Sequence, residues 1–182
     1  MGLGKGFIVG LVLFIVINVV MGIVIALLSP GGDMGAIMDA FTDLSSIGSL
    51  LFGAILVTPG LALFGIFMSF LLGGFDLVVM LTGLALFISP LVAALLTGKL
   101  SESKGSAFGA WFLVCIVSAV VLWVLFFIGG NVATLGLTMS AWGLNLGGIT
   151  DDFMILIVMI VVAVVNGIFY GCFSILASSE EW

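Results

Sequence analysis

The sequence predicts an all-α, polytopic transmembrane helix bundle that forms a single domain over residues 1–182. Of these residues 64% are hydrophobic and 7% are charged, whereas about a quarter of a soluble domain is charged. Five apolar runs each hold roughly 20 residues, the length of α-helix that crosses about 30 Å of hydrocarbon. None shows the alternation of polar and apolar residues that is typical of a membrane β-barrel. We expect spans at about 7–28, 50–72, 77–96, 107–128 and 153–177.

The first span carries small residues at four-residue steps, which place them on one face of a helix. These are Gly6, Gly10 and Gly22, and Asn18 lies between them in the same stripe. Lipid does not drive helices together by hydrophobicity, so close backbone packing at small residues has to do so. The stripe therefore predicts a helix-packing face.

The second run, 50–72, contains the sequence TPG around Pro59, which allows two topologies. A proline-kinked helix that crosses the membrane gives five spans and separates Lys5 from Lys99 and Lys104. A re-entrant hairpin gives four spans, with all three lysines and both termini on the cytoplasmic side. The hairpin satisfies the positive-inside rule fully, but such segments are rare because protein must shield them. We expect five spans, with the re-entrant hairpin as the alternative.

The third span follows Asp76 after a tight turn, and the fourth begins close to Lys104. The fourth repeats the Lys-Gly-x-x-x-Gly pattern of the N-terminus, with its glycines at Gly105 and Gly109. An interfacial lysine followed by a small-residue face predicts a snorkelling side chain and a second packing surface.

The last span has a packing stripe of its own at Ala163, Gly167 and Gly171, with Asn166 beside it. As in the first span, an asparagine lies near the middle of the apolar run. We expect these four residues to contact other helices.

The two asparagines need hydrogen-bond partners, because an unpaired amide in hydrocarbon costs several kcal/mol. One interpretation is that Asn18 and Asn166 share a bond that holds helices together. The other is that they line a path for a solute, together with Thr58 and Tyr170.

The composition limits the chemistry that the chain can perform. It has no histidine and no arginine, and its net charge is −6, which makes nucleic acid a poor partner. Without a catalytic arrangement of side chains we expect no enzyme activity, cofactor or metal. The sequence predicts an accessory subunit of a homo- or hetero-oligomeric complex in the cell membrane, in contact with lipid and with other membrane proteins or copies of itself. The alternative is a small channel or facilitator.

Overall fold

The structure is a computed structural model that describes residues 2–29, 34–39, 41–71, 75–141 and 151–178. All regular elements in these ranges are helical, which confirms the predicted fold class. The α-helices are α1 (Leu3–Leu28), α2 (Met34–Asp39), α3 (Leu44–Phe52), α4 (Pro59–Leu71), α5 (Leu77–Lys99), α6 (Lys104–Ile128), α7 (Val132–Ala141) and α8 (Asp152–Ala177). Four of them, α1, α5, α6 and α8, are long and apolar enough to cross a membrane, and α3 with α4 forms a fifth candidate. The chain is therefore a multi-pass membrane protein.

The four long helices extend beyond the apolar runs by a few residues at their polar ends. α6 begins at Lys104 because Ser103 caps it: the Ser103 hydroxyl accepts a bond from the Ser106 backbone N–H at 3.2 Å. The Ser106 hydroxyl accepts one from the Ser103 N–H at 3.1 Å. Hydropathy marks the part of a helix that lies in hydrocarbon, whereas capping groups decide where the helix ends.

The second apolar run is a bent pair of helices rather than one straight helix. α3 begins at Leu44, earlier than predicted, because the Asp43 carboxylate accepts bonds from two backbone N–H groups of its first turn. A 3₁₀ turn at Gly53–Leu56 ends it, and α4 starts at Pro59 with its axis bent by 95°. Proline has no N–H and disfavours a helical conformation in the residue before it, which explains a break at this point. We call residues 44–71 the hairpin.

One end of the bundle carries all three lysines, and we call it the lysine end. A Cβ added at Gly6 of α1 would lie 3.1 Å from the Ala110 Cβ and 3.2 Å from the Ser101 hydroxyl oxygen. The start of α1 therefore lies beside the connection between α5 and α6, where Lys99 and Lys104 are found. The Ser174 hydroxyl donates to the Ala107 carbonyl at 2.9 Å, which brings the end of α8 to the same place.

The opposite end, where Asp43 caps α3 and Asp76 caps α5, holds both ends of the hairpin, and we call it the aspartate end. The Asn131 amide, just after α6, donates to the Ser45 hydroxyl at 3.1 Å, which fixes the start of α3 there. The Asp76 backbone N–H donates to the Ser69 carbonyl at 3.2 Å, which fixes the end of α4 there. This arrangement matches the re-entrant alternative. By length and composition alone, the bent pair also qualifies as a broken fifth span.

A layer of aromatic side chains fills the bundle between the lysine end and the tip of the hairpin. Phe14, Trp111 and Tyr170 are all fully buried. The Trp111 ring packs edge-on against Phe14 at 5.9 Å and against Tyr170 at 6.3 Å, measured between ring centroids. These rings join α1, α6 and α8.

Candidate functional site

Both mid-span asparagines hold the broken part of the hairpin. The Asn166 amide nitrogen donates to the carbonyls of Ile55 at 3.0 Å and of Val57 at 3.2 Å. The Asn18 amide nitrogen donates to the Leu51 carbonyl at 3.0 Å. The prediction that the two asparagines share a bond is wrong, because each binds a different part of the hairpin.

These bonds compensate for the break in the helix. Where a helix stops within apolar surroundings, its last carbonyls lose their internal donors, and each unsatisfied group costs several kcal/mol. Residues 54–57 are between 1% and 4% exposed, so water does not reach most of this backbone. The asparagines supply the missing donors, and the tip of the hairpin is thereby fixed about halfway along α1 and α8.

The predicted small-residue stripe of α8 packs on α6. A Cβ at Gly167 would lie 2.7 Å from the Phe112 ring, and a Cβ at Gly171 would lie 2.7 Å from the Phe108 ring. Ala163 is fully buried in the same helix. The two phenylalanine rings can lie against the backbone of α8 only because the glycines have no side chains.

The stripe of α1 packs within the same chain. A Cβ added at Gly10 would lie 2.6 Å from the Thr97 hydroxyl oxygen, and one added at Gly22 would lie 2.6 Å from a Leu50 methyl group. The glycines of the repeated motif in α6 differ from each other. A Cβ added at Gly109 would lie 2.9 Å from Leu3, whereas one added at Gly105 has no described atom within 4 Å.

A series of cavities lies beside the hairpin at the aspartate end. The outer cavity has a volume of about 440 Å³ and is bordered by α3, α6 and α7. Its lining is Ser45, Ser46, Ser49, Leu50, Phe126, Thr134 and Thr138. Five of these seven residues carry hydroxyl groups, although most of the lining surface is apolar.

Two smaller cavities lie beside the outer one, in the direction of the hairpin tip. The middle cavity, of about 150 Å³, shares Ser49 and Thr138 with the outer cavity and also borders Gly53. The inner cavity, of about 110 Å³, shares Ser49 and Gly53 with the middle one and reaches Asn18. We call the three together the hydroxyl cavity.

The deep side of the inner cavity is formed by α5. Thr82, Ala85, Leu86 and Ser89 line it. The Ser89 hydroxyl oxygen is buried and has no hydrogen-bond partner within the described part of the chain. Ser89 precedes Pro90, which lies inside α5 and has no N–H. The carbonyl of Leu86 therefore lacks its usual helical donor.

Of the four residues predicted to line a path, Asn18 lines the hydroxyl cavity. Asn166 and Tyr170 are fully buried, and each has one oxygen atom without a partner among the described residues. Thr58 is half-buried at the break, where its carbonyl accepts from the Ala62 N–H at 3.0 Å. Two further unpartnered buried polar atoms are the indole nitrogen of Trp111 and the hydroxyl oxygen of Ser118.

The serines and threonines of the cavity were not identified from the sequence as a site. Ser45 and Ser49 are four residues apart, as are Thr134 and Thr138, so each pair lies on one face of its helix. This spacing was a usable signal. However, helical serines and threonines usually bond back to their own helix, as Thr138 does to the Thr134 carbonyl at 2.9 Å.

The charges near the cavity are negative. The Asp43 side chain accepts from the Ser46 hydroxyl at 2.6 Å and from the backbone N–H groups of Ser45 and Ser46, both at 2.9 Å. The hydrogen bond from the Ser46 side chain, followed by that from its backbone, lowers the pKa of Asp43 below its usual value. Asp43 is therefore ionised at neutral pH, next to two residues that line the outer cavity.

No family model matches the chain, and no curated protein and no solved structure matches it. Within the described ranges, no group of three or more His, Cys, Asp or Glu side chains is placed to hold a metal ion. A functional interpretation therefore depends on the geometry of the hairpin and the cavity beside it.

Proposed function

We propose that the protein is a non-catalytic facilitator that binds a small polar solute in the hydroxyl cavity and passes it across the cell membrane. The observation that carries the proposal is that three cavities adjoin one another between the aspartate end and the tip of the hairpin. They share Ser49, begin at the aspartate end and reach Gly53, where the hairpin breaks. A mostly apolar cavity with a few polar groups, leading to the middle of a transmembrane bundle, is a feature of solute-binding membrane proteins.

The free energy needed to break a helix inside the membrane supports a functional role for the hairpin. A straight helix over the same residues would satisfy its own backbone, whereas the hairpin needs amide donors from Asn18 and Asn166. Irregular backbone at membrane depth is tolerated where it is buried in protein or lines a polar cavity. Gly53 lines the cavity, and the residues that follow it are buried.

The proposed route is closed toward the lysine end by the aromatic layer of Phe14, Trp111 and Tyr170. Passage of a solute therefore requires this layer to move. The Tyr170 hydroxyl and the Trp111 N–H, which have no partner among the described residues, supply polar atoms that a solute would meet beyond the hairpin tip. In this conformation the cavity adjoins the aspartate end.

The lysines give the proposed orientation. Lys5, Lys99 and Lys104 all lie at one end of the bundle when the hairpin returns to the side from which it came. The positive-inside rule then places the lysine end in the cytoplasm and the hydroxyl cavity on the opposite side.

Two glycines of the hairpin offer a matched test. Among the described residues, a Cβ at Gly53 or at Gly60 would meet nothing within 4 Å, so the first side-chain atom clashes at neither position. Gly53 lines the middle and inner cavities, whereas Gly60 lies outside the lining of all three. A leucine at position 53 would therefore fill the cavity, and one at position 60 would not.

The assay is uptake of glycerol, urea, Na⁺, K⁺ and Cl⁻ into liposomes that contain the purified protein. We expect at least one solute to enter faster than in empty liposomes, and Gly53→Leu to reduce that rate at least tenfold. Gly60→Leu should retain it. Equal rates in protein-containing and empty liposomes for all five solutes, or an unaffected Gly53→Leu variant, would refute the facilitator.

A second candidate is the accessory subunit predicted from the sequence. One face of α4 favours it, since Phe64, Phe67 and Phe70 are 57% to 60% exposed. α4 also begins at mid-bundle with an exposed Gly60, and a re-entrant helix requires protein to shield its end. The small-residue stripes favour it less, because most of them pack within the chain. Native mass spectrometry from mild detergent tests it: a monomer would exclude the subunit, and a stable complex dissociated by Phe67→Ala would support it.

A further inference from the structure

We infer that the solute of the hydroxyl cavity is a small neutral polyol of the size of glycerol, an inference that rests on the proposed function and names its substrate class. Three features carry it. They are the lack of charge among the described lining residues, the small volume of the two deeper cavities, and the combination of acceptor oxygens with apolar side chains.

The lining is unfavourable for ions of either sign. None of the described residues that line the three cavities is charged. An ion that leaves water for such surroundings loses its hydration without gaining a counter-charge, which costs far more free energy than the transfer of a neutral hydroxyl group. Asp43, ionised at neutral pH beside Ser45 of the outer cavity, adds repulsion against anions. The lining therefore suits a neutral solute.

The volume of the deeper cavities limits the size of this solute. The middle cavity has a volume of about 150 Å³ and the inner cavity one of about 110 Å³. A protein cavity of about 150 Å³ is large enough to bind benzene. Glycerol has as many non-hydrogen atoms as benzene, whereas a longer polyol such as sorbitol has twice as many. The deeper cavities therefore admit only the shortest polyols.

The polar atoms along the cavities are largely hydrogen-bond acceptors. The Thr82 hydroxyl, in the middle and inner cavities, donates its proton to the Val78 carbonyl at 2.8 Å. The Thr138 hydroxyl, in the outer and middle cavities, donates to the Thr134 carbonyl at 2.9 Å. The Asn18 amide nitrogen donates to the hairpin, which leaves the amide oxygen as an acceptor in the inner cavity. Each of these oxygens can still accept a bond, and the several O–H donors of a polyol match them.

The rest of the lining is apolar and suits carbon–hydrogen groups. Leu56, Val57 and Leu86 border the middle cavity, and Met21 and Ile25 border the inner one. A polyol packs its C–H groups against such side chains while its hydroxyl groups bond to the oxygens. Urea has hydrogen-bonding groups on all sides, so more of them would be left without partners against an apolar wall. The lining therefore favours a polyol over urea.

Swelling of liposomes that contain the full-length protein tests the inference. Entry of glycerol, urea or sorbitol is followed by light scattering, and entry of Na⁺, K⁺ and Cl⁻ is followed in the same preparation. Each rate is compared with the rate in empty liposomes. We expect the protein to accelerate glycerol entry more than urea entry, and to leave the entry of sorbitol and of the three ions unchanged.

Two threonines of α5 form the test and its control. Both hydroxyls donate to a carbonyl one turn earlier, that of Thr82 at 2.8 Å and that of Thr97 at 2.7 Å. Thr82 lines two of the cavities, whereas Thr97 lines none of the three. Valine keeps the shape of the side chain and removes its hydroxyl. Thr82→Val should slow glycerol entry about threefold or more, because a glycerol hydroxyl passes without its acceptor, and Thr97→Val should not.

The outcomes separate the polyol from the facilitator. Protein-dependent entry of urea or of an ion without glycerol would overturn the polyol and leave the facilitator. Entry of sorbitol as fast as glycerol, or unchanged glycerol entry in Thr82→Val, would also overturn the polyol alone.

Binding without transport is measured through the melting temperature of the protein in detergent. Sorbitol at equal osmolality is the reference, because osmolytes that are excluded from the protein surface stabilise folded proteins generally. A ligand that binds only the folded protein raises the melting temperature in a saturable way. Saturable stabilisation by glycerol beyond that by sorbitol, without uptake of any solute, would leave the polyol site and refute the facilitator. The absence of both would overturn both.

Discussion

Replacing Asn166 with leucine tests whether the asparagines hold the hairpin in place. The substitution keeps the number and branching of the side-chain heavy atoms and removes two bonds, those to the carbonyls of Ile55 and Val57. Because Asn166 is fully buried, water cannot replace the lost donor.

The expected loss follows from these two bonds. Polar contacts between membrane helices contribute on average about 0.6 kcal/mol and at most about 1.7 kcal/mol each, and a buried carbonyl left unsatisfied costs about 1 to 3 kcal/mol. Removal of the Asn166 amide oxygen, which has no partner among the described residues, offsets part of this cost. We expect Asn166→Leu to lower the free energy of unfolding by about 1 to 4 kcal/mol. Asn18→Leu, which removes one bond, should cost about half as much.

The assay is equilibrium unfolding in mixed micelles of mild detergent and dodecyl sulfate, followed by circular dichroism. Val165→Leu is the matched control, because Val165 lies next to Asn166 but is 42% exposed on the outside of the bundle. Since the asparagines bind different carbonyls, the double variant should lose roughly the sum of the two single losses. A loss below about 0.5 kcal/mol in Asn166→Leu, no larger than in Val165→Leu, would refute the capping role.

Three further predictions concern packing, topology and pH. Gly167→Leu should lower the melting temperature in detergent, because its Cβ alone would lie 2.7 Å from the Phe112 ring. Gly105→Leu is the control and should not lower it, since a Cβ there has no described atom within 4 Å. Equal melting temperatures of the two variants would contradict the predicted packing of α8 on α6. A cysteine at Ser103, in a protein whose own two cysteines are replaced, should resist an impermeant thiol reagent in intact cells; rapid labelling would place the lysine end outside. Because hydrogen bonds lower the pKa of Asp43, its contribution to stability is present above its unfolded pKa near 3.8 and is lost as pH falls through the lower folded pKa. Asp43→Asn should flatten this part of the stability profile below about pH 4, and an unchanged acid profile would contradict it.

The sequence by itself determined the solvent and the elements of this protein. Apolar runs such as 107–128 must form helices, because hydrocarbon offers no other partner for the backbone. The stripe through Gly167 indicated where helices approach, since only small residues permit such contact. The need of Asn18 and Asn166 for partners also followed from the cost of burying an amide.

The tertiary structure alone decided what those asparagines bind and where the second apolar run leads. A TPG sequence is compatible with a kinked span and with a hairpin, because both break the same backbone bonds. The choice depends on contacts between distant residues, such as Asn166 with Val57 and Asn131 with Ser45. The hydroxyl cavity has the same origin: Ser49 is far in sequence from Thr82 and Ser89 of α5, and the two regions meet because the 3₁₀ turn that follows α3 packs against α5. The local sequence pattern determines the hydrogen bonds within each helix. The hydroxyl cavity, in contrast, is formed by side chains that meet only in the folded bundle.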